Sequence, residues 1–172
     1  MISRCKWANY NNLLQSYHDT EYGFYVEDDN ILFERLMLEG YQAGLSWNLV
    51  LQKREEFNNV FYNFSLSKVS NLTAEYIDKL MLNEGIIRNR RKLEATISNA
   101  QTILKIIEKY GSFMNYLKHL PHNAFTTEDL KNCTKQMKKD GFKFVGPLVL
   151  EEFFYSIGLN SPKHAEYCFL FK

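Results

Sequence analysis

Wherever the apolar residues of this chain repeat, they repeat at helical intervals. Leu93, Ile97, Ala100, Leu104 and Ile107 fall at i, i+4, i+7, i+11 and i+14, the mark of an amphipathic helix of about 20 residues. Gly111, after Tyr110, is placed to stop it. An earlier stripe of the same spacing, Leu32, Leu36, Glu39 and Ala43, sets a carboxylate among apolar residues. Other helices are announced by their caps. Ser46 precedes Leu49, Val50 and Phe57. Thr73 precedes AEYIDKLML, with Gly85 as the expected end. Thr126 precedes Leu130, Cys133 and Met137, with Asp140-Gly141 closing the segment. Pro147 suits the first turn of a helix that carries Leu148, Leu150, Phe153, Phe154 and Ile157 and ends at Gly158. Ser161-Pro162 repeats the cap-then-proline start and predicts a last short helix. No stretch alternates as a strand would. The pattern predicts an all-α fold of roughly eight helices, in one bundle-like domain spanning 1–172.

Composition changes this picture little. With 172 residues, 45% hydrophobic and 15% aromatic, the chain can bury a substantial core. A net charge of +1 gives no whole-molecule field toward nucleic acid or membrane, so an anion-binding surface has to be local. One basic cluster exists. Lys131, Lys135, Lys138, Lys139 and Lys143 lie in or before GFKFVGPLVLEEFFYSIG (141–158). Gly141 and Gly146 there can adopt positive φ and admit a phosphate to backbone N–H groups. A helix start at Pro147 adds a favourable dipole. The plainer reading is a turn between helices with a solvated lysine face. Arg88, Arg90, Arg91 and Lys92 form a second basic run, read as solvated or capping. No apolar run approaches the ~18–20 residues of a membrane span, and MISRCKWANY lacks the apolar core of a secretory signal. Three cysteines argue against a disulfide framework. A cytoplasmic location and no membrane partner are expected.

Both ends of the chain carry metal-ligand residue types. Cys5 and His18 lie near the start. His164 and Cys168 lie near the end, at i and i+4 on the last predicted helix, where they would share a face. Two thiolates and two imidazoles make a closed tetrahedral set suited to one structural Zn²⁺ per chain. Such a site would tie down two segments that otherwise fray. The spacing matches no compact zinc finger, and buried Cys and His are also ordinary core residues. Cys133 is read as core, and His119 and His122 as surface.

Several pieces together resemble the type I 3-methyladenine DNA glycosylases of the helix-hairpin-helix superfamily. They are YHDTEYG (17–23), LEGYQAGLSW (38–47), GIIRNRRKLEATISNA (85–100), GFKFVGP (141–147), Cys5 and the His164/Cys168 pair. The resemblance implies a helix-hairpin-helix glycosylase fold with the hairpin at about 137–158. It implies a zinc site of Cys5, His18, His164 and Cys168 joining the termini. It implies that Glu39 reads the damaged base, that Tyr17 hydrogen-bonds in the same pocket, and that Trp47 stacks on the base. Tyr22 stands where the family usually has Trp, so one pocket wall is altered. Trp7 is a further lining candidate. Leu45, beside Gly44, is the implied wedge in the vacated stack. Gly141, Lys143, Phe144 and Gly146 form the implied DNA-clamping turn.

The implied partner is double-stranded DNA containing alkylated purines, and the implied reaction is hydrolysis of the N-glycosidic bond of 3-methyladenine, with 3-methylguanine as a possible second substrate. The base must first be flipped out. An adenine alkylated at N3 is cationic while still bonded to the sugar, so a desolvated carboxylate attracts it. Many superfamily members place a catalytic Asp just after the helix that follows the hairpin. Here that stretch is Leu159-Asn160-Ser161-Pro162-Lys163, with no acid, as in the resembled family. A cationic base departs neutral and needs less assistance. The expectation is a monomeric, monofunctional enzyme without lyase activity. The alternatives are a non-catalytic zinc-stabilised hairpin module that binds DNA, and a metallohydrolase, which four protein ligands would leave without an open position.

Overall fold

The computed structural model describes residues 2–171. Among them the helices run α1 (Asn12–Thr20), α2 (Asp29–Gln42), α3 (Trp47–Val60), α4 (Leu66–Val69), α5 (Ala74–Leu80), α6 (Arg90–Tyr110), α7 (Phe113–His119), α8 (Thr127–Lys139) and α9 (Pro147–Ser156). Short 3₁₀ turns occupy Lys6–Tyr10 and Tyr62–Phe64. No strand occurs among the described residues, so the all-α expectation holds.

The capping chemistry acts where the sequence placed it. Ser46, Thr73 and Thr126 each accept a backbone N–H in the first turn of α3, α5 and α8. Thr126 forms a reciprocal capping box with Asp129. Gly111 ends α6 at φ 84. Two expected boundaries are corrected. Helix α5 stops at Leu80 rather than at Gly85. Gly85 instead lies so close to α3 that a Cβ would stand 2.7 Å from Cγ of Glu56. The last predicted helix is absent, and residues 161–171 form irregular turns. Pro162 packs against Gly23 too closely for a Cβ there, and the Phe169 N–H donates to the Ser3 carbonyl at 2.9 Å. These anchors fold the end of the chain back onto its beginning.

Helix α2 is the axis of the fold. Every residue from Leu32 to Tyr41 is buried, so this is a central helix and not a one-sided stripe. It packs against α9, α3, α6 and α7. The main core joins these helices through Leu32, Phe33, Leu36, Phe57, Phe113 and Phe153. A small separate cluster of Leu14, Tyr17, Tyr22, Leu51 and Tyr155, with Trp47 against it, supports the N-terminal side. On α6 the buried line includes Thr96 and Asn99. The Thr96 and Tyr41 hydroxyls share a hydrogen bond.

Candidate active site: an aromatic cleft over a buried acid

A cleft of about 410 Å³ opens between the small cluster and the end of α2. Tyr17 on α1, Tyr22 just after it, Glu39 on α2, Trp47 at the start of α3 and Trp7 on the first 3₁₀ turn all line it. The five residues expected to hold a base are therefore brought together. Leu14, Gln42, Asn48 and Glu152 also line it, and sequence reasoning missed them. The rings meet edge-on or tilted. Trp7 and Tyr22 lie 5.5 Å apart at 84°, and Tyr17 and Trp47 lie 5.3 Å apart at 57°. That arrangement braces the walls without filling the slot by face-to-face stacking.

Glu39 is 6% exposed, and no hydrogen bond to it is found among the described residues. Burial, then the charge of Glu152, pushes its carboxyl up to about 8, against a partial opposing pull from Arg35. Burial thus favours the neutral acid near neutral pH. A cation placed beside it would favour the ionised form expected of this carboxylate. Burial raises the Tyr17 and Tyr22 hydroxyls, so both stay protonated and able to donate. The Trp47 Nε1–H is buried without an acceptor. Arg35 lies 5.6 Å from the Tyr17 ring centre and is tied to Glu21, which also receives a bidentate pair from Arg54.

The turn after α2 carries Gly44 at φ 79, a left-handed conformation that suits glycine, and the partly exposed Leu45. Lys92 holds this turn. Its Nζ donates to the Tyr41 and Ala43 carbonyls at 3.0 and 3.1 Å, so one member of the second basic run does cap. Gly44, Leu45, Leu148 and Val149 line a neighbouring cleft. Leu148, expected on the apolar face of α9, is exposed there instead.

The turn between α8 and α9 is clamped by Asn99, which accepts from the Lys143 N–H at 2.8 Å and donates to the Lys143 carbonyl at 2.9 Å. Gly141 has φ 110. Gly146 does not use positive φ. It is extended at φ −142, as the N-cap of α9. Lys143 and Phe144 are exposed and line a surface depression with Arg91 and Lys138, apart from the base cleft.

Cys5, His18, His164 and Cys168 converge although the last predicted helix is missing. Their ligating atoms all lie within 4.8 Å of one another. Cys5 Sγ is 3.5 Å from His164 Nδ1, and Cys168 Sγ is 3.4 Å from His18 Nε2. His18 Nδ1 meets Asp19 at 2.8 Å, and Asp19 is held by Arg4. The outer carboxylate fixes the ring so that Nε2 faces the cluster. This cluster can bind a metal. It also braces the cleft, with Trp7 5.1 Å from the His18 ring and Tyr22 5.4 Å from that of His164. Cys133 is buried, and His119 is exposed, as expected. His122 is corrected to partly buried, stacked on Phe125 at 4.6 Å.

A slot walled by aromatic rings, with a buried acid inside it, is suited to holding one unstacked planar base. Similarity to known proteins narrows that reading. The model of the methyladenine glycosylase family matches residues 7–171, and the chain belongs to that family. The DNA-3-methyladenine glycosylase of Haemophilus influenzae is 39% identical over 172 residues, covering 92% of this chain and 93% of that one. DNA-3-methyladenine glycosylase 1 of Escherichia coli is 36% identical, covering 92% and 91%. A solved 3-methyladenine DNA glycosylase I variant in complex with 3-methyladenine superposes with a TM-score of 0.88 at 32% identity, covering 96% and 95%. The chain is a glycosylase with the fold of these relatives.

Proposed function

We propose that this enzyme excises 3-methyladenine from double-stranded DNA by hydrolysing the N-glycosidic bond, and that it acts as a monomer in the cytoplasm. The observation that carries the reading is Glu39, a buried carboxyl with no hydrogen-bond partner among the described residues, on the wall of an aromatic slot. The relatives' names and the bound 3-methyladenine of one neighbour support it.

In this reading the flipped base slides between Trp47 and the Trp7–Tyr22 wall, where stacking contributes on the order of 1–3 kcal/mol. Its positive charge favours the ionised form of Glu39, whose proton passes to solvent, and the carboxylate accepts from the exocyclic amine. Tyr17 donates to a ring nitrogen. An unalkylated adenine brings no charge, leaves Glu39 protonated and gains little. Leu45 enters the gap left in the duplex, and Lys143 and the turn around it hold phosphate.

The C1′–N9 electron pair leaves with the purine, which departs neutral, and water adds to C1′. The reading includes no strand cleavage: among the described residues no lysine lines the cleft to form a Schiff base. Chromatography of bases released from methylated DNA tests the reading. It predicts free 3-methyladenine and intact strands bearing abasic sites. Absence of released base overturns it, and coupled strand cleavage overturns the monofunctional part.

We assign zinc to the Cys5, His18, His164 and Cys168 cluster. Ion–ligand distances of about 2.3 Å to sulfur and about 2.0–2.1 Å to nitrogen give tetrahedral S···N edges of about 3.5 Å. The cluster's S···N distances of 3.4, 3.5 and 3.8 Å fit. The ion's role is structural, because four protein ligands leave no position for water.

A further inference from the structure

The base cleft and the neighbouring cleft beside Leu45 share a wall made by Glu39, Gln42 and Glu152. Glu39 stands inside, nine-tenths buried and unpartnered. Gln42 is neutral. Glu152, on α9, is the acid at the open rim. A base seated among the aromatic rings stays bonded to its sugar through C1′. The sugar must then lie toward the surface that receives DNA, and the cleft lined by Gly44, Leu45 and the exposed Leu148 opens there. A nucleotide seated this way would carry its glycosidic bond along the shared wall.

Glu152 makes no ion pair among the described residues. The nearby lysine, Lys163, is engaged by its neighbour Glu151 at 2.9 Å and lies over the Tyr155 ring. An unpaired acid on a surface that meets phosphates weakens DNA approach. It helps only where positive charge develops. During cleavage that charge moves from the purine to C1′ and O4′ of the sugar, away from Glu39 and toward the rim.

We propose that Glu152 is a second catalytic carboxylate of this enzyme: it faces the deoxyribose, stabilises the developing oxocarbenium charge and receives the proton of the water that adds to C1′. The bond electrons go to the departing neutral purine, hydroxide from water bonds to C1′, and the proton passes through Glu152 to solvent. This inference rests on the glycosylase reading above. It supplies from α9 an acid that the segment 159–163 lacks.

The test is single-turnover excision of 3-methyladenine from methylated duplex at saturating enzyme, with duplex affinity measured in parallel, for the wild type, Glu152→Gln and Glu151→Gln. Glu152→Gln is expected to slow excision by about tenfold or more and to bind duplex equally or more tightly. Rate and affinity would then separate in sign. Glu151→Gln is expected to match the wild type. A Glu152→Gln rate within about twofold of wild type overturns the role of Glu152 while the glycosylase reading stands. So does a rate loss matched by weaker duplex binding, or an equal loss in Glu151→Gln. A wild type that releases no base overturns the glycosylase reading itself, and this role with it.

Discussion

Two of the molecule's groups of aromatic rings are in opposite states. Under α7 and α9, Phe113 stacks on Phe142 at 15° and on Tyr116 at 18°, with no exposure. In the cleft, the rings of Trp7, Tyr17, Tyr22 and Trp47 meet at 46–84°. The same contrast holds for polar groups. The core hydroxyl of Tyr41 is satisfied by Thr96. In the cleft, neither Glu39 nor the buried Trp47 N–H has a hydrogen-bond partner among the described residues. Leaving a buried group such as the Trp47 N–H unsatisfied costs roughly 1–3 kcal/mol, and a fold tolerates that where a ligand supplies the missing partner. One region is finished by folding. The other is finished by a base.

Substitutions should break the two regions differently. Phe113→Ala removes a ring at the centre of the filled stack and should cost about 3–5 kcal/mol of stability, seen as an early denaturation midpoint; the surviving folded fraction should still excise. Cys168→Ser should abolish the metal cluster, lower the melting temperature by about 10 °C and slow excision through the loosened Trp7–Tyr22 wall. Metal analysis of the purified protein checks the cause, one zinc per wild-type chain and none in the variant. Trp7→Ala, in the open group, should slow excision roughly tenfold while changing stability by less than about 1 kcal/mol. If Trp7→Ala cost as much stability as Phe113→Ala, the two regions would not differ as described.

The pH profile sharpens the contrast at the smallest scale. The folded Glu39 carboxyl titrates at about 8, above the usual 4.5. The folded state therefore holds a proton that the unfolded chain releases, and this group's contribution to stability is present below the unfolded value and is lost as pH rises toward 8. In the proposed reading, capture of a cationic purine expels that proton to solvent. Single-turnover excision should then rise with pH up to about 8 and level off, and Glu39→Gln should lose the component due to this group.

Much of this was legible in the sequence where the controlling physics is local. Caps at Ser46, Thr73 and Thr126 set helix starts because each satisfies its own first turn. The odd carboxylate on the α2 stripe pointed to the cleft. Other features depend on residues far apart. The termini meet through Ser3 with Phe169 and Gly23 with Pro162, and no periodicity encodes that closure. Asn99, outside the apolar stripe named for α6, is buried because it clamps the Lys143 backbone. Glu152 sits in EEFF and looks like a solvated face until α9 is set against α2.

The central claim is that Glu39 selects a purine because damage has made it cationic. The direct measurement is single-turnover excision of 3-methyladenine by Glu39→Gln, with duplex binding measured alongside. The account predicts a rate lower by about a hundredfold or more with duplex affinity nearly unchanged. Excision at the wild-type rate would contradict it.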